Sequence, residues 1–226
     1  MYWQERAEEG VDAVPDDVVD VVFGIACRAL PVEHAYALWS AVAKILPWLA
    51  HEPGAGIHPI HVADSGNGWM RPGRPDDLLY PSRRTKLVIR VPKARIADAE
   101  RLSGHTLDVA GNALRVDAAS VRRLSPLTTI FSRYVAIERV LDENAFLAEA
   151  LTQLNGLGVK PKKMLCGIEH SIATPDGPLR TRSLMLTELT PAEALTLQQR
   201  GLGPMRHLGC GLFIPHKDIK ELAPRE

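Results

Sequence analysis

Two histidines bracket the first helical segment of this sequence, and each has the chemistry of a general acid or base. Imidazole suits proton transfer because its pKa lies near neutrality. His34 lies in the first turn, where the helix dipole disfavours the charged ring, so we expect a neutral general base there. His51 lies at the far end, where the dipole favours the charged ring, and is the main rival. Tyr36 follows His34 by two residues and is a candidate to assist it.

The other histidines and the cysteines predict neither a metal site nor a disulfide. His58 and His61 are three residues apart, which places them on opposite faces of a strand and favours packing. The three cysteines are scattered without a CxxC pair, and Cys210, between two glycines, is expected to pack. We therefore expect no metal and no cofactor, and a reducing, cytoplasmic environment.

A glycine-rich segment near the C-terminus is the strongest candidate binding loop. Residues 198–214 read QQRGLGPMRHLGCGLFI, and Arg206 and His207 lie between two glycine pairs. Glycine permits positive φ and close backbone approach, and exposed amides in such a loop can surround phosphate oxygens. One glycine would suffice for a helix end and a turn, so four predict a ligand-binding loop. The four are Gly201, Gly203, Gly209 and Gly211.

The charge is balanced overall but unevenly distributed. The chain has 27 basic and 27 acidic residues, yet residues 1–20 hold seven acids and one base. Residues 71–95 hold eight bases, including Arg83 and Arg84, against two acids. Further bases cluster at Lys160, Lys162 and Lys163. Because several basic clusters lie outside the acidic N-terminal segment, the sequence favours a polyanionic partner.

The order of predicted elements is β-α-β-β-α-β and occurs twice. The first set begins with a strand at 18–28 and a helical pattern after Pro31, whose apolar face runs from Leu38 to Leu49 and which Pro47 and the Pro53-Gly54 pair end. It continues with an extended segment at 57–63, a loop from Asp64 to Pro75, a strand at 85–92, a helix at 94–103 and a hairpin at 105–117 about Gly111-Asn112. The second comprises a strand at 128–140, a helix at 142–155 capped by Asp142, a hairpin of 164–172 and 179–188, a helix from Pro191 to Gly201 and a strand at 211–215.

This repetition predicts an α+β fold of two tandem ferredoxin-like, or RRM-like, domains. We expect an acidic tail at 1–17, one domain at 18–124, and a second at 127–226 that carries the glycine-rich loop at 201–211. No apolar run reaches the ~18–20 residues of a membrane helix, and the N-terminus does not resemble a secretory signal.

The glycine-rich segment resembles the C-terminal signature of the RAMP superfamily. That signature is Gly-hydrophobic-Gly, five residues, then Gly-hydrophobic-Gly, and the match here is complete. The surrounding LQQRGLGPMRHLGCGLF is similar to the C-terminus of CRISPR-associated repeat-RNA endoribonucleases, and PVEHAYALW resembles their first helix. The resemblance implies a tandem ferredoxin-like fold and one cut within each repeat of precursor CRISPR RNA.

The resemblance also implies a mechanism and a set of site residues. Family members generally need no metal: the ribose 2′-hydroxyl attacks, leaving a 2′,3′-cyclic phosphate and a 5′-hydroxyl. A histidine in the first-helix region commonly serves as the general base in this family. This favours His34, assisted by Tyr36, with His51 as the rival. The expected contacts to the repeat stem-loop are Arg83, Arg84, Lys160, Lys162, Lys163, Gly201, Gly203, Arg206, His207, Gly209 and Gly211.

Two other functions fit the same pattern. A non-catalytic RNA-binding subunit of a CRISPR effector complex would use the same fold without the acid–base residues. A regulatory ferredoxin-like domain that binds a small metabolite would fit the fold, but it would leave the basic clusters and the glycine-rich loop unexplained.

Overall fold

The computed structural model describes residues 17–62, 77–137 and 142–216. Nearly all of the acidic tail and the whole of the loop predicted from Asp64 to Pro75 lie outside these ranges. No helix in the described ranges is both long and apolar enough to cross a membrane.

The first half of the chain forms a five-stranded antiparallel sheet covered by helices. Its elements are β1 (Val18–Cys27), β2 (Leu30–Pro31), α1 (Ala35–Ala43), β3 (Gly56–His58), β4 (Leu78–Leu79), β5 (Lys86–Pro92), α2 (Ile96–Glu100), β6 (Thr106–Val109) and β7 (Asn112–Arg123). The strand order is β3-β5-β1-β7-β6, and β2 pairs separately with β4. Alternation on β1 buries Val19, Val21 and Phe23, which share one core with Leu38 and Val42 of α1.

The second half forms a four-stranded antiparallel sheet. Its elements are β8 (Ile130–Ala136), α3 (Glu143–Gly156), β9 (Lys163–Thr174), β10 (Gly177–Thr187), α4 (Pro191–Arg200) and β11 (Ile214–Pro215), in the sheet order β11-β8-β10-β9. Asp142 caps α3 by accepting a hydrogen bond from the Ala145 amide at 2.8 Å, as predicted. Thr190 and Glu193 form a capping box on α4, and Gly201 ends that helix at φ 72°.

Both sheets contain the strand order of a split βαβ unit, which confirms the predicted tandem ferredoxin-like fold. Two local predictions were wrong. The helix α1 ends at Ala43 rather than Leu49, because Pro47 cannot donate a helical hydrogen bond and instead begins a 3₁₀ turn, Pro47–His51. The β6–β7 hairpin turns at Ala110-Gly111, one residue earlier than expected, and both residues have positive φ.

A buried arginine joins the two domains. Arg90 belongs to the basic run counted in the sequence, yet it is fully buried. Its Nε donates to Asp20 Oδ1 at 2.8 Å, and its Nη1 donates to the Gln198 and Phe213 carbonyls at 2.9 and 2.8 Å. Burial alone would raise the pKa of Asp20, but the adjacent Arg90 charge and His58 hold it well below its usual value. Arg90 therefore links the two domains from the protein interior and is not a surface cation.

The connection between the domains is held by a side-chain amide. The Gln198 Nε2 donates to the Ser125 carbonyl at 2.6 Å, and its Oε1 accepts from the Ser125 amide at 3.3 Å. Gln198 is fully buried, and its own carbonyl is one of the two that Arg90 binds. The linker, helix α4 and the first sheet therefore meet at one polar junction.

Candidate functional site

The glycine-rich loop packs into the junction between the two domains. A Cβ atom at Gly203 would collide with the Ala136 carbonyl oxygen, and one at Gly209 would collide with the ring of Pro59 from the first domain. Both glycines have positive φ, 73° and 87°. Glycine is required here because the loop backbone approaches its neighbours closely and not only because the chain turns.

Three of the four glycine amides of the loop donate within the protein. Gly201 donates to the Leu197 carbonyl at 2.8 Å, Gly209 to the Arg206 carbonyl at 3.0 Å, and Gly211 to the Tyr134 carbonyl at 2.7 Å. The predicted phosphate-binding nest therefore does not form from these three amides, because their hydrogen atoms already have acceptors.

The Arg206 side chain points into the protein, contrary to the expectation that it reaches a phosphate. Its Nε donates to the Ala55 carbonyl at 3.2 Å, and its Nη2 donates to the Gly54 and Gln199 carbonyls at 3.3 and 3.1 Å. Its Nη1 is buried and has no hydrogen-bond partner among the described residues. Burial, with the nearby charge of Arg90, lowers the pKa of Arg206 to about 10.

His51 and His207 line one cleft of about 220 Å³ between the 3₁₀ turn Pro47–His51 and the loop. We call this the histidine cleft; it is lined by residues 49–53, 55 and 203–207. His51 is exposed at the end of its 3₁₀ turn. The His207 ring lies against Trp39 of α1, with 4.7 Å between ring centroids, and burial lowers the pKa of His207. The cleft therefore holds two imidazoles from different domains.

His34 does not open into this cleft. It precedes α1 as the N-cap residue and is only 1% exposed. Its Nδ1 lies 2.8 Å from the Pro31 carbonyl, and its Nε2 accepts the Ile60 amide at 3.0 Å. These contacts fix the neutral tautomer with the proton on Nδ1, and both ring nitrogens are engaged. The sequence preference for His34 over His51 is not supported by this geometry, because a general base needs an accessible lone pair.

Tyr36 is accessible on the first turn of α1, with 38% of its surface exposed. It lies one turn before Trp39 on neighbouring positions of the helix surface, the side on which Trp39 meets His207. The start of α1 also packs on the second domain, since Ala35 contacts the small cluster that contains Tyr134 and Cys210. These contacts place the start of α1 at the domain junction, although Tyr36 itself is not among the residues that line the histidine cleft.

A second cleft, of about 280 Å³, lies between the outer face of the first sheet and strands β8 and β11. We call it the basic cleft; its polar lining includes His58, His61, Arg84, Lys86, Arg122 and Arg133. Phe131 and Gly209 also line it. The expectation that His58 and His61 lie on opposite faces was wrong, because β3 ends at His58 and both residues line this one cleft.

The remaining predicted contacts lie outside both clefts. Arg83 is exposed beside Arg84 but does not line the basic cleft. Lys162 and Lys163 pair with Glu188, at 3.9 and 2.7 Å, near the start of β9. Lys160 is exposed nearby, and its backbone amide donates to Glu193. These four cations stay predictions as RNA contacts.

Sequence reasoning missed Trp39, Phe131 and Arg133. The signal for the last two was present, because the buried alternation Ile130, Ser132 on β8 places Phe131 and Arg133 on the opposite face. Trp39 carried no comparable signal, since its partner His207 lies in the other domain. Within the described residues, no three His, Cys, Asp or Glu side chains are grouped closely enough to hold a metal ion.

Comparison with known proteins identifies the family. The sequence model of the Cas6 family, described as Cas6 Crispr, matches residues 19–218. A protein of Myxococcus xanthus (strain DK1622) named CRISPR-associated endonuclease Cas6 is 30% identical over 197 residues, which cover 87% of this chain and 81% of that protein.

Two solved structures share the fold. One, a CRISPR-associated protein Cas6, has a TM-score of 0.62 at 12% identity and covers 88% of this chain and 100% of its own. The other, a Cas6-related gene product from Pyrococcus furiosus, has a TM-score of 0.62 at 13% identity and covers 90% of this chain and 99% of its own. The family match over most of the sequence confirms the resemblance noted above, and this chain belongs to the Cas6 family.

Proposed function

We propose that this protein is a cytoplasmic endoribonuclease that cuts precursor CRISPR RNA once within each repeat. One observation carries the proposal: in a chain of the Cas6 family, an exposed histidine of the first domain and a histidine of the glycine-rich loop share one cleft. The relative from Myxococcus xanthus is itself named an endonuclease. The two imidazoles of the histidine cleft are acid–base groups of the kind that such a cut requires.

The proposed chemistry is attack by the ribose 2′-hydroxyl on the adjacent phosphate. His51 takes the hydroxyl proton, because its ring is exposed at the cleft and both nitrogens of His34 are engaged. His207 is held neutral by its lowered pKa, so one ring nitrogen carries a hydrogen to donate to a phosphate oxygen. Tyr36 is the proposed proton donor to the departing 5′-oxygen. The products are a 2′,3′-cyclic phosphate and a 5′-hydroxyl.

We also propose that the reaction proceeds without a metal ion or cofactor. Each step of the transfer then falls to a side chain: a base for the 2′-hydroxyl, a donor to the phosphate and an acid for the leaving oxygen. The 2′-hydroxyl is also the group by which the enzyme distinguishes RNA from DNA at the cut.

The basic cleft is the proposed binding site for the repeat. Arg84, Lys86, Arg122 and Arg133 line it and match the phosphate backbone of a repeat stem-loop. Phe131 lies in the same cleft, with the Arg133 guanidinium 6.0 Å from its ring centroid, and offers a face for an unpaired base. Arg83 and Lys160, Lys162 and Lys163 would extend this surface for longer RNA.

A second candidate is a non-catalytic RNA-binding subunit of a CRISPR effector complex. The engagement of both His34 nitrogens favours this candidate, because the histidine preferred from the sequence then has no accessible lone pair with which to act as a base. The two candidates differ in one observable, which is cleavage.

The experiment is incubation of the protein with end-labelled repeat RNA in excess EDTA. A single discrete cut with 5′-hydroxyl and cyclic-phosphate ends supports the proposed enzyme, whereas tight binding without cleavage selects the subunit. A deoxyribose at the nucleotide before the cut should abolish cleavage and leave binding intact, because the nucleophile is then missing. Cleavage that requires added metal would overturn the metal-free mechanism.

A further inference from the structure

We infer that Arg206 is a positioning residue for the proposed reaction, one that fixes the segment carrying His51 and does not contact RNA. The inference rests on the proposed function, because it assigns His51 the proton transfer. It departs from the expectation drawn from the sequence, in which an arginine between two glycine pairs reaches a phosphate.

The geometry connects three carbonyls from two domains through one guanidinium. Gly54 and Ala55 follow His51 by three and four residues, and their carbonyls accept from Arg206 at 3.3 and 3.2 Å. The third carbonyl, of Gln199, belongs to the last turn of α4 and accepts at 3.1 Å. The planar guanidinium presents several donors in a fixed fork, so it holds these carbonyls in one relative arrangement.

The segment after His51 is held in place by side chains from other parts of the protein. Glu52 is held by Arg95, whose Nε donates to its Oε2 at 3.3 Å, and Pro53 lacks an amide hydrogen. Arg206 therefore anchors the far side of the segment, and the exposed His51 is the last residue of the 3₁₀ turn, directly before these two anchors. A displacement of about 1 Å at a reacting group can cost about 10²-fold in rate.

The same contacts make Arg206 a poor ligand for RNA. Its Nη1 is buried, and a Cβ atom at Gly201 would collide with it, so the glycine provides the space in which the guanidinium lies. The side chain thus faces the protein with every nitrogen. By contrast, Arg200, six residues earlier at the end of α4, is exposed.

The first test measures single-turnover cleavage and repeat-RNA affinity for Arg206→Lys and Arg206→Gln, with Arg200→Gln as the matched control. We expect both Arg206 variants to cut about 10²-fold more slowly, with Kd and its salt dependence unchanged. A phosphate ligand would behave differently: Arg206→Lys would keep its affinity, while Arg206→Gln would bind more weakly and reduce the salt slope by about 1. That pattern overturns the inference.

The second test combines Arg206→Gln with His51→Ala. If Arg206 acts through His51, the double variant cuts no more slowly than His51→Ala alone, because there is no longer a base to misplace. Rate losses that multiply would show that Arg206 acts on the substrate directly, and would overturn the inference.

A third measurement is independent of cleavage. Hydrogen exchange of the amides at 49–55 should accelerate in Arg206→Lys and not in Arg200→Gln. Unchanged exchange in Arg206→Lys would overturn the inference that Arg206 anchors this segment. This result stands even if the wild type fails to cut in EDTA, an outcome that would refute the proposed function alone.

Discussion

The two clefts of this protein use different parts of the same glycine-rich loop and differ sharply in charge. Residues 203–207 of the loop line the histidine cleft, where the one arginine points inward, while Gly209 lines the basic cleft among four cations. Cations attract phosphates over a Debye length of about 8–10 Å, whereas proton transfer requires hydrogen-bond contact. The separation implies that the rate of cutting and the affinity for RNA can be changed independently.

The largest effect is expected in the histidine cleft. His51→Ala should lower the single-turnover rate by about 10²–10⁴-fold, the usual contribution of a general acid or base. Affinity for the repeat should be unchanged, because an interaction made only in the transition state does not contribute to ground-state binding. Gel-shift titration and rapid-quench cleavage of the same labelled RNA measure the two quantities.

His105→Ala is the matched control, since His105 is exposed between α2 and β6 and lines neither cleft. It should cut and bind as the wild type does. Normal cutting by His51→Ala would show that the histidine cleft takes no part in the chemistry. The proposed division of cutting and binding between the two clefts would then be wrong.

Replacing Asp20, which lies beneath the basic cleft, is expected to cause a large loss of stability. Asp20 is 3% exposed and accepts from Arg90 and from Arg122, the latter at 3.1 Å. Asp20→Asn leaves the buried Arg90 without its counter-ion and should lower the free energy of unfolding by about 3–5 kcal/mol. RNA affinity, measured well below the melting temperature, should not fall, because the cleft becomes more positive. Asp117→Asn, which breaks an exposed pair with Arg115, should cost no more than about 1 kcal/mol.

The pH dependence of this loss has a defined sign. The pKa of Asp20 is lowered in the folded protein, so its contribution is present above the unfolded pKa of about 3.9 and is lost as the pH falls toward the folded value. The stability difference between wild type and Asp20→Asn should therefore be constant near neutrality and shrink below about pH 4. A difference that instead grows in acid would mean that Asp20 is not paired in this way.

The sequence predicted the sheets well because their signal is local. Strand β1 alternates buried and less buried residues, and Asp142 and Gly201 mark the helix ends at which the structure has them. The end of α1 was missed because Leu49 keeps the helical spacing but is buried from a 3₁₀ turn. Apolar spacing shows that a residue is buried and does not show which kind of turn buries it.

The site was harder to predict because its contacts join distant parts of the chain. Arg206 bonds to Ala55, 151 positions away, and nothing near Arg206 in the sequence shows that its side chain points inward. The same holds for His34, whose Nε2 is occupied by an amide 26 positions away. Residue type indicated which chemistry was available, and tertiary contacts decided which side chains can perform it.

A smaller effect is expected at His34. Its replacement by alanine leaves the Ile60 amide, 1% exposed as a residue, without its acceptor, which costs about 1–3 kcal/mol. Urea unfolding should show a lower midpoint with an unchanged m-value. The cleavage rate per folded molecule should stay close to that of the wild type. The reverse result, normal stability with cleavage abolished, would restore His34 as the general base.

The smallest effect separates two adjacent arginines. Arg84 lines the basic cleft, and Arg83 is exposed beside it without lining the cleft. Arg84→Ala should weaken binding of unrelated stem-loops as well as the repeat and reduce the salt slope by about 1, the release of one counter-ion. Arg83→Ala should change both quantities less, although the two variants remove the same charge from neighbouring positions. Equal losses would mean that RNA responds to the charge of the whole segment and not to the cleft, and a greater loss for Arg83→Ala would place the RNA outside the basic cleft.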